Sequence, residues 1–180
     1  ALAANDSAVF AATYNGVFRL PGSGPSWVPV NSGLTMQVIS GLLWKSPTLY
    51  AISAYRSFRS TDNGNTWSQG GTGLPPSYYS RHLAFLGGDL YAGNDARGVY
   101  RSTDDGATWN PANTGLTDTS ITALGAIGTT LYAGTRNGLF TSTNNGASWS
   151  PSGPGLPPAS VTSLAAFGTS ILAGTSGNGV

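Results

Sequence analysis

The chain has 180 residues, of which only 8% are charged: 7 Arg, 1 Lys and 7 Asp, with one His and no Glu. An average soluble domain carries roughly 25% charged residues, and a nucleic-acid-binding face shows a dense basic patch. This composition therefore excludes a nucleic-acid partner. No stretch approaches the ~20 apolar residues that span a bilayer. Because Cys and Glu are absent, we expect no disulfide, no metal site and no cofactor.

A repeat with a period near 40 residues dominates the sequence. The apolar pairs that mark it are spaced by 40, 41, 41 and 40 residues: Val9-Phe10, Leu49-Tyr50, Leu90-Tyr91, Leu131-Tyr132 and Ile171-Leu172. The tryptophans Trp27, Trp67, Trp109 and Trp149 follow the same period. Such a period with Gly-, Ser- and Thr-rich turns is typical of four-stranded propeller blades. The sequence predicts an all-β fold, a β-propeller of about four and a half blades within 1–180: repeats 1–40, 41–81, 82–122, 123–162 and an incomplete 163–180.

The fourth repeat illustrates the order of strands, which we name A to D along each blade. Residue composition predicts strand A over 120–127 and strand B over 131–135. Asn137-Gly138 is a strong hairpin signal, and strand C is expected over 139–142. A turn then leads to strand D, predicted at 147–150. Apolar residues at helical spacing are not sustained anywhere, so helices should be nearly absent.

An eight-residue motif lies between strands C and D of three repeats, over 60–67, 102–109 and 142–149. It resembles the Asp-box, or bacterial neuraminidase (BNR) repeat, of pattern Ser-x-Asp-x-Gly-x-x-Trp. This repeat is known from sialidase- and xyloglucanase-like propellers. The residues that carry the resemblance are Ser60, Asp62, Gly64, Trp67, Ser102, Asp104, Gly106, Trp109, Ser142, Asn144, Gly146 and Trp149.

These motif residues are interpreted as structural. An Asp at this position accepts hydrogen bonds from backbone N–H groups in an Asx-type turn, the Gly adopts a positive φ, and the Trp buries apolar surface against the hairpin. In the first repeat Gly22 replaces the Asp, although Gly24 and Trp27 persist. The resemblance implies that the motifs lie at the periphery, away from the active face. We therefore assign no catalytic residue among them.

Candidate ligand-binding residues lie in the B–C loops and D–A connectors, which share one face of a propeller. Arg56, Arg97 and Arg136 lie at or near equivalent B–C loop tips, and guanidinium groups suit carboxylates or phosphates. The simpler interpretation is that these arginines are solvated loop residues. A second candidate set lies in one D–A connector, where tyrosine faces could bind sugar rings or pack against strands: Tyr78, Tyr79, Arg81 and His82.

Three functions remain open. The hypothesis that we choose is a non-enzymatic binding or scaffold module of bacterial type, extracellular or periplasmic, that binds a glycan or a protein partner. The alternative is part of a glycoside hydrolase propeller. The resemblance to sialidases implies an arginine triad, an acidic proton donor and a tyrosine assisted by Glu, and this chain has no Glu. Only Asp95 and Asp118 could share the active face as a carboxylate pair.

The third hypothesis is self-assembly, because an incomplete array of blades leaves unpaired strand edges. Partner chains would then complete the ring as a homo-oligomer. A fragment of a propeller with six to eight blades, or a ring closed on a defective blade, would explain the same pattern, and we expect the fragment. The chain begins at Ala1 without Met, which suits a processed form or a fragment.

Overall fold

A computed structural model describes residues 1–53, 56–75, 82–152, 156, 159–177 and 179. Within these residues all regular structure is β, in four four-stranded sheets and one two-stranded sheet, with no helix. The strands of each sheet follow one another antiparallel in chain order. The prediction of an all-β propeller with between four and five blades is confirmed.

Each sheet is one blade, with strands A to D in chain order. Blade 1 contains β1 (Leu2–Asn5), β2 (Ala8–Thr13), β3 (Gly16–Pro21) and β4 (Val28–Pro29). Blade 2 contains β5 (Ile39–Lys45), β6 (Thr48–Ser53), β7 (Ser57–Ser60) and β8 (Ser68–Gln69). Blade 3 contains β9 (His82–Leu86), β10 (Asp89–Asn94), β11 (Gly98–Ser102) and β12 (Asn110–Pro111). Blade 4 contains β13 (Ile121–Ile127), β14 (Thr130–Thr135), β15 (Gly138–Ser142) and β16 (Ser150–Ser152), and blade 5 contains β17 (Val161–Phe167) and β18 (Ser170–Thr175).

The chain divides into two compact units. Unit 1 comprises Ala1–Arg81 with Gly106–Thr108, and unit 2 comprises His82–Asp105 with Trp109–Val180. Each unit has its own apolar core between neighbouring blades, because the apolar pleats of adjacent sheets face one another. The core of unit 1 includes Phe10, Val17, Leu49, Phe58 and Trp67. The core of unit 2 includes Tyr91, Val99, Leu131, Phe140 and Trp149.

Strand D of blade 4 begins later than the sequence predicted. It spans Ser150–Ser152 instead of 147–150, with Phe140 opposite Pro151. The preceding residues belong to the turn, since the Ala147 N–H donates to the Asn144 carbonyl at 3.1 Å. The Trp149 N–H donates to the Thr114 carbonyl, in the connector that follows blade 3, at 2.8 Å. The tryptophan backbone therefore bonds to this connector and not to its own sheet.

Candidate functional site

The turns between strands C and D are built around a serine and an acidic or amide residue. In blade 2 the Ser60 hydroxyl donates to Asp62 Oδ1 at 2.7 Å and accepts from the Gly64 N–H at 2.9 Å. Asp62 Oδ1 also accepts from the Thr66 N–H at 2.9 Å. Blade 4 repeats the arrangement with a neutral residue, because Asn144 Oδ1 accepts from the Ser142 hydroxyl and the Ser148 N–H. These side chains hold the turn.

Two consecutive residues of each turn adopt positive φ, where one was expected. The predicted glycines Gly64, Gly106 and Gly146 have φ of 81°, 83° and 76°. The residues before them, Asn63, Asp105 and Asn145, have φ of 57°, 55° and 56°. Asn and Asp tolerate this left-handed region better than other side chains, so the Asn-Gly and Asp-Gly pairs were a sequence signal for it.

Two tryptophans of the motif, Trp67 and Trp149, contact the residues that follow the last strand of the preceding blade. The Trp67 Nε1–H donates to the Val30 carbonyl of blade 1 at 2.7 Å. The Trp149 Nε1–H donates to the Ala112 carbonyl of blade 3 at 2.8 Å. Both rings are buried, whereas Trp27 of blade 1 is exposed. The expectation that the Trp packs against its own hairpin was therefore incomplete, because its indole N–H also bonds to the preceding blade.

Replacing Asp62 with alanine should lower the free energy of unfolding by about 1 kcal/mol, because the Thr66 N–H loses its acceptor. Asp62→Asn is the matched control and should change stability little, since Asn144 makes the same backbone contact. Urea denaturation of both variants checks this expectation. Equal losses for both variants would contradict it.

The same turn should respond to acid. The Thr66 hydroxyl, followed by the Thr66 N–H and the Ser60 hydroxyl, lowers the pKa of Asp62 against the opposing effect of burial. A carboxylate with a lowered folded pKa stabilises the fold above its unfolded pKa, and this contribution is lost as the pH falls through the folded pKa. The Asp62→Asn variant should lose that part of the acid sensitivity, which sets in as the pH falls below the ordinary carboxyl pKa of 3.8.

The D–A connector from blade 3 to blade 4 joins two B–C loops of unit 2. The Gly98 N–H donates to the Thr119 carbonyl at 2.9 Å, which ties the connector to the B–C loop of blade 3. Asp118 Oδ2 accepts from the Asn137 backbone N–H at 3.1 Å and from its side-chain amide at 2.9 Å in the B–C loop of blade 4. We call this hydrogen-bonded surface, residues 94–98, 113–120 and 135–138, the loop face.

An asparagine that the sequence analysis missed anchors the connectors that follow blades 1 and 3. Asn113 Oδ1 accepts from the Val99 N–H at 2.7 Å, and the Asn113 amide donates to the Arg97 carbonyl at 3.1 Å. Asn31 repeats both contacts in blade 1, with the Val17 N–H at 2.7 Å and the Asn15 carbonyl at 3.4 Å. The signal was present, because both asparagines stand two residues before a Gly-Leu pair.

The structure places two of the three candidate arginines on the loop face. Arg97 and Arg136 are exposed on the B–C loops of blades 3 and 4. Arg56 lies half-buried in the B–C loop of blade 2, within unit 1. The candidates Tyr78, Tyr79 and Arg81 lie outside the described residues. His82 is the first residue of β9 and pairs with Gly93, so it belongs to a strand and not to the connector.

The pKa of Asp118 on the loop face is lowered. Burial raises it, but hydrogen bonds from the Ser120 N–H and from the side chains of Thr135, Asn137 and Ser120 together outweigh burial. The Ser120 N–H lies 2.9 Å from Asp118 Oδ1. The same carboxylate ties the connector to the B–C loop of blade 4.

A second set of arginines was overlooked by the sequence analysis. Arg19, Arg59 and Arg101 occupy the same register position on strand C, opposite Phe10, Tyr50 and Tyr91. The Arg19 guanidinium donates to the Asn63 carbonyl at 3.0 Å and to Asn65 Oδ1 at 2.9 Å. The Arg101 Nε–H donates to Asp89 Oδ2 at 2.8 Å. The sequence feature that could have revealed this set is an Arg directly before the motif serine, which occurs in two repeats.

Two kinds of feature are absent from the described ranges. No group of three or more His, Cys, Asp or Glu side chains there is arranged to hold a metal ion. Over the same residues, no helix is long and apolar enough to cross a membrane.

Comparisons with known proteins agree with this architecture. The extracellular domain of BT4673 from B. thetaiotaomicron superposes with a TM-score of 0.75 at 19% identity, covering 97% of this chain and 25% of that one. YCF48 bound to D1 peptide superposes with a TM-score of 0.73 at 15% identity, covering 98% of this chain and 62% of that one. The Niastella koreensis GH74 enzyme superposes with a TM-score of 0.74 at 22% identity, covering 95% of this chain and 32% of that one. The chain thus spans less than two thirds of each of these structures.

The family assignment rests on the sequence itself. A search of curated proteins gave no match. The DUF6242 beta propeller domain matches residues 50–176, which is more than half of the chain and runs from strand B of blade 2 to the end of blade 5. The chain therefore belongs to the DUF6242 beta propeller domain family.

Proposed function

We propose that the chain is a non-enzymatic binding module whose ligand site is the loop face, within a secreted or periplasmic protein. The observation that carries the proposal is the connector 113–120, which is hydrogen-bonded to the B–C loops on both of its sides. A preorganised surface loses little conformational entropy when a ligand binds. The likeness to an extracellular domain supports the location.

Three described carboxylates have structural partners, which supports binding over catalysis. Asp118 holds two loops together, Asp62 holds a turn, and Asp89 forms an ion pair with Arg101. A hydrolase with two carboxylates needs one with a raised pKa to donate a proton, whereas the pKa values of Asp62 and Asp118 are lowered. These acids serve the fold.

The ligand that the loop face suits carries carboxylate groups. Arg97 and Arg136 are exposed on loops that flank the same connector, and guanidinium forks bind carboxylates in two-point geometry. Acidic glycans and acidic peptides share this chemistry. YCF48, a structural neighbour, is bound to a peptide in its own structure, which supports testing peptides beside glycans. We further assign the C–D turns to the Asp-box, or BNR, type on their Ser, Asp/Asn, Gly and Trp pattern.

The Arg97→Ala/Arg136→Ala variant should lose at least tenfold in affinity for an acidic ligand selected by the wild-type chain, and its salt dependence should weaken. The probes are an array of sialylated and uronic-acid glycans and a library of Asp/Glu-rich peptides, which separate the two ligand classes. Adding Arg56→Ala to the double variant tests whether blade 2 contributes to the affinity. Arg59→Ala is the matched control, because Arg59 is exposed on strand β7 and not on a loop.

Unchanged affinity and salt slope in the double variant, or an equal loss in the Arg59→Ala control, would contradict the assignment of the loop face. Failure of the wild-type chain to retain any acidic probe would contradict the proposed ligand class.

A glycoside hydrolase role is the second candidate, because the fold superposes on GH74 enzymes. Asp95 and Asp118 lie on segments that the structure brings together, since the Thr119 hydroxyl donates to the Ala96 carbonyl at 3.3 Å. Product release that depends on both carboxylates would favour this role over simple binding.

A further inference from the structure

A groove lies between blades 3 and 4, both of which belong to unit 2. It is lined by Arg101 and Thr103 of blade 3, by residues 110–112 and Thr114 further along the chain, and by residues 146–147 in the C–D turn of blade 4. We call it the outer groove. It encloses about 280 Å³ and opens to solvent, just below the range of about 300–1,000 Å³ that is usual for small-ligand sites. The outer groove therefore has room for one small molecule.

An arginine crosses the equivalent place between blades 1 and 2 of unit 1. Arg19 holds the register position of Arg101. Its Nη1 donates to the Asn63 carbonyl at 3.0 Å and to Asn65 Oδ1 at 2.9 Å. Both acceptors belong to the C–D turn of blade 2. The Arg19 side chain therefore bridges the two blades at the place where the outer groove is open.

Two side chains of strand B keep Arg101 from forming that bridge. The Tyr91 hydroxyl donates to the Asn145 carbonyl at 3.1 Å, which is the backbone position in the turn that Arg19 uses in unit 1. Asp89 Oδ2 accepts from the Arg101 Nε–H at 2.8 Å and so holds the guanidinium on its own blade. Blade 1 has apolar residues at the same two positions: Phe10 and Ala8.

The C–D turn of blade 4 completes the opening. Ala147 stands five residues after the motif serine, where blade 2 has Asn65. A methyl group neither reaches across the groove nor accepts a hydrogen bond. The outer groove thus follows from three exchanges at separate positions of the sequence, each of which takes away part of the Arg19 contact.

The lining of the outer groove combines hydrogen-bonding groups with apolar surface and carries little net charge. The Arg101 guanidinium is paired with Asp89. Across the described residues, the Thr103 hydroxyl and the Asn110 side-chain amide have no protein partner, so they are available to a ligand. Pro111 adds an apolar ring. A pyranose ring has hydroxyl groups around its rim and C–H groups on its faces, and it matches both parts of this lining.

We propose that the outer groove binds one neutral sugar residue. Its two unpaired polar side chains bond to the sugar hydroxyl groups, and the proline ring supports a C–H face of the sugar. A neutral ligand is favoured over an acidic one, because Asp89 already compensates the charge of Arg101 and a carboxylate would leave water without an unpaired cation to meet. The site adjoins the loop face at Thr114 but includes neither of its exposed arginines, so the proposal does not rest on the loop face.

Titration of the isotope-labelled chain with glucose, galactose, mannose and xylose, followed by NMR of the amide groups, is the first test. At least one of these sugars should shift the signals of the Asn110 side-chain amide and of the Ala147 backbone amide. The Kd should be on the order of 1 mM, as expected of a small ligand in an open site. Uronic acids with the same rings should bind no more tightly than the neutral sugar.

Asn110→Val should weaken binding of that sugar about fivefold, because one hydrogen bond is lost. Blade 1 already has a valine at this register position, Val28 opposite Arg19, so folding should survive. Ser68→Val is the matched control, because Ser68 holds the same position in blade 2 and does not line the outer groove. Circular dichroism checks the fold of each variant.

Ala147→Asn gives the second readout. It restores the side chain that Asn65 places in the C–D turn of blade 2, so it should obstruct the outer groove and weaken binding about tenfold. Absence of any shift at the groove with all four sugars would overturn the proposal. So would equal weakening by Asn110→Val and Ser68→Val, or unchanged binding in folded Ala147→Asn. Tighter binding of a uronic acid would overturn it as well, because the groove would then be a site for anions.

Discussion

Replacing Trp149 with alanine is expected to lower the free energy of unfolding by about 4 kcal/mol, since deletion of a buried aromatic ring costs 3–5 kcal/mol. The indole is buried in the core of unit 2 and donates to the Ala112 carbonyl of the preceding blade at 2.8 Å. Its removal leaves a cavity and an unsatisfied carbonyl together. Urea denaturation followed by fluorescence and circular dichroism measures the loss.

Trp27→Ala is the matched control for this substitution. Trp27 holds the equivalent position in blade 1 but is exposed, so the loss should stay below about 1 kcal/mol. Similar losses for the two variants would contradict the conclusion that the motif tryptophan acts by joining two blades.

Gly115→Ala is expected to have the second largest effect, a loss of about 3 kcal/mol. Gly115 has a φ of +80°, which costs an alanine about 1–2 kcal/mol. A Cβ there would lie only 2.3 Å from the Trp149 carbonyl oxygen of the next blade, an overpacked contact. Because the obstacle is backbone, relief requires the two blades to move apart.

Gly128→Ala separates these two causes. Gly128 also has a positive φ, at +57°, but no atom lies within 4 Å of the position that its Cβ would take. This variant should lose about 1 kcal/mol, from backbone strain alone. Equal losses of stability at Gly115 and Gly128 would show that the contact with Trp149 does not explain why a glycine stands at position 115.

Local features of the sequence predicted most of the fold. The apolar pairs lie in strand B of every blade. Asn137-Gly138 lies at the B–C hairpin of blade 4, and this turn could be predicted because its type depends on residues that are adjacent in the sequence. Strand D of blade 4 was misplaced for a non-local reason, since the Trp149 backbone bonds to Thr114 in the connector that follows blade 3. Sequence periodicity shows which residues repeat, but it does not show which blade each of them contacts.

The candidate site could be predicted only in outline. Arg97 and Arg136 were located correctly in B–C loops by counting strands. The connector that joins those loops was not foreseen, because Asn113 bonds to a residue of strand β11 and Asp118 to a residue of the B–C loop of blade 4, both distant in sequence. Arg19 and Arg101 lie near motif residues, yet their role depends on contacts with a neighbouring turn or strand. Such contacts follow from the packing of sheets and cannot be predicted from the spacing of residues in the sequence.

One measurement tests the binding role most directly. Immobilised chain is incubated with a mixture of sialylated glycans, xyloglucan oligosaccharides and Asp/Glu-rich peptides, and the retained molecules are released and weighed by mass spectrometry. We expect acidic molecules to be retained and recovered with unchanged masses, and the Arg97→Ala/Arg136→Ala chain to retain few of them. Cleaved glycans that accumulate with time and disappear in an Asp118→Asn variant would contradict the binding role.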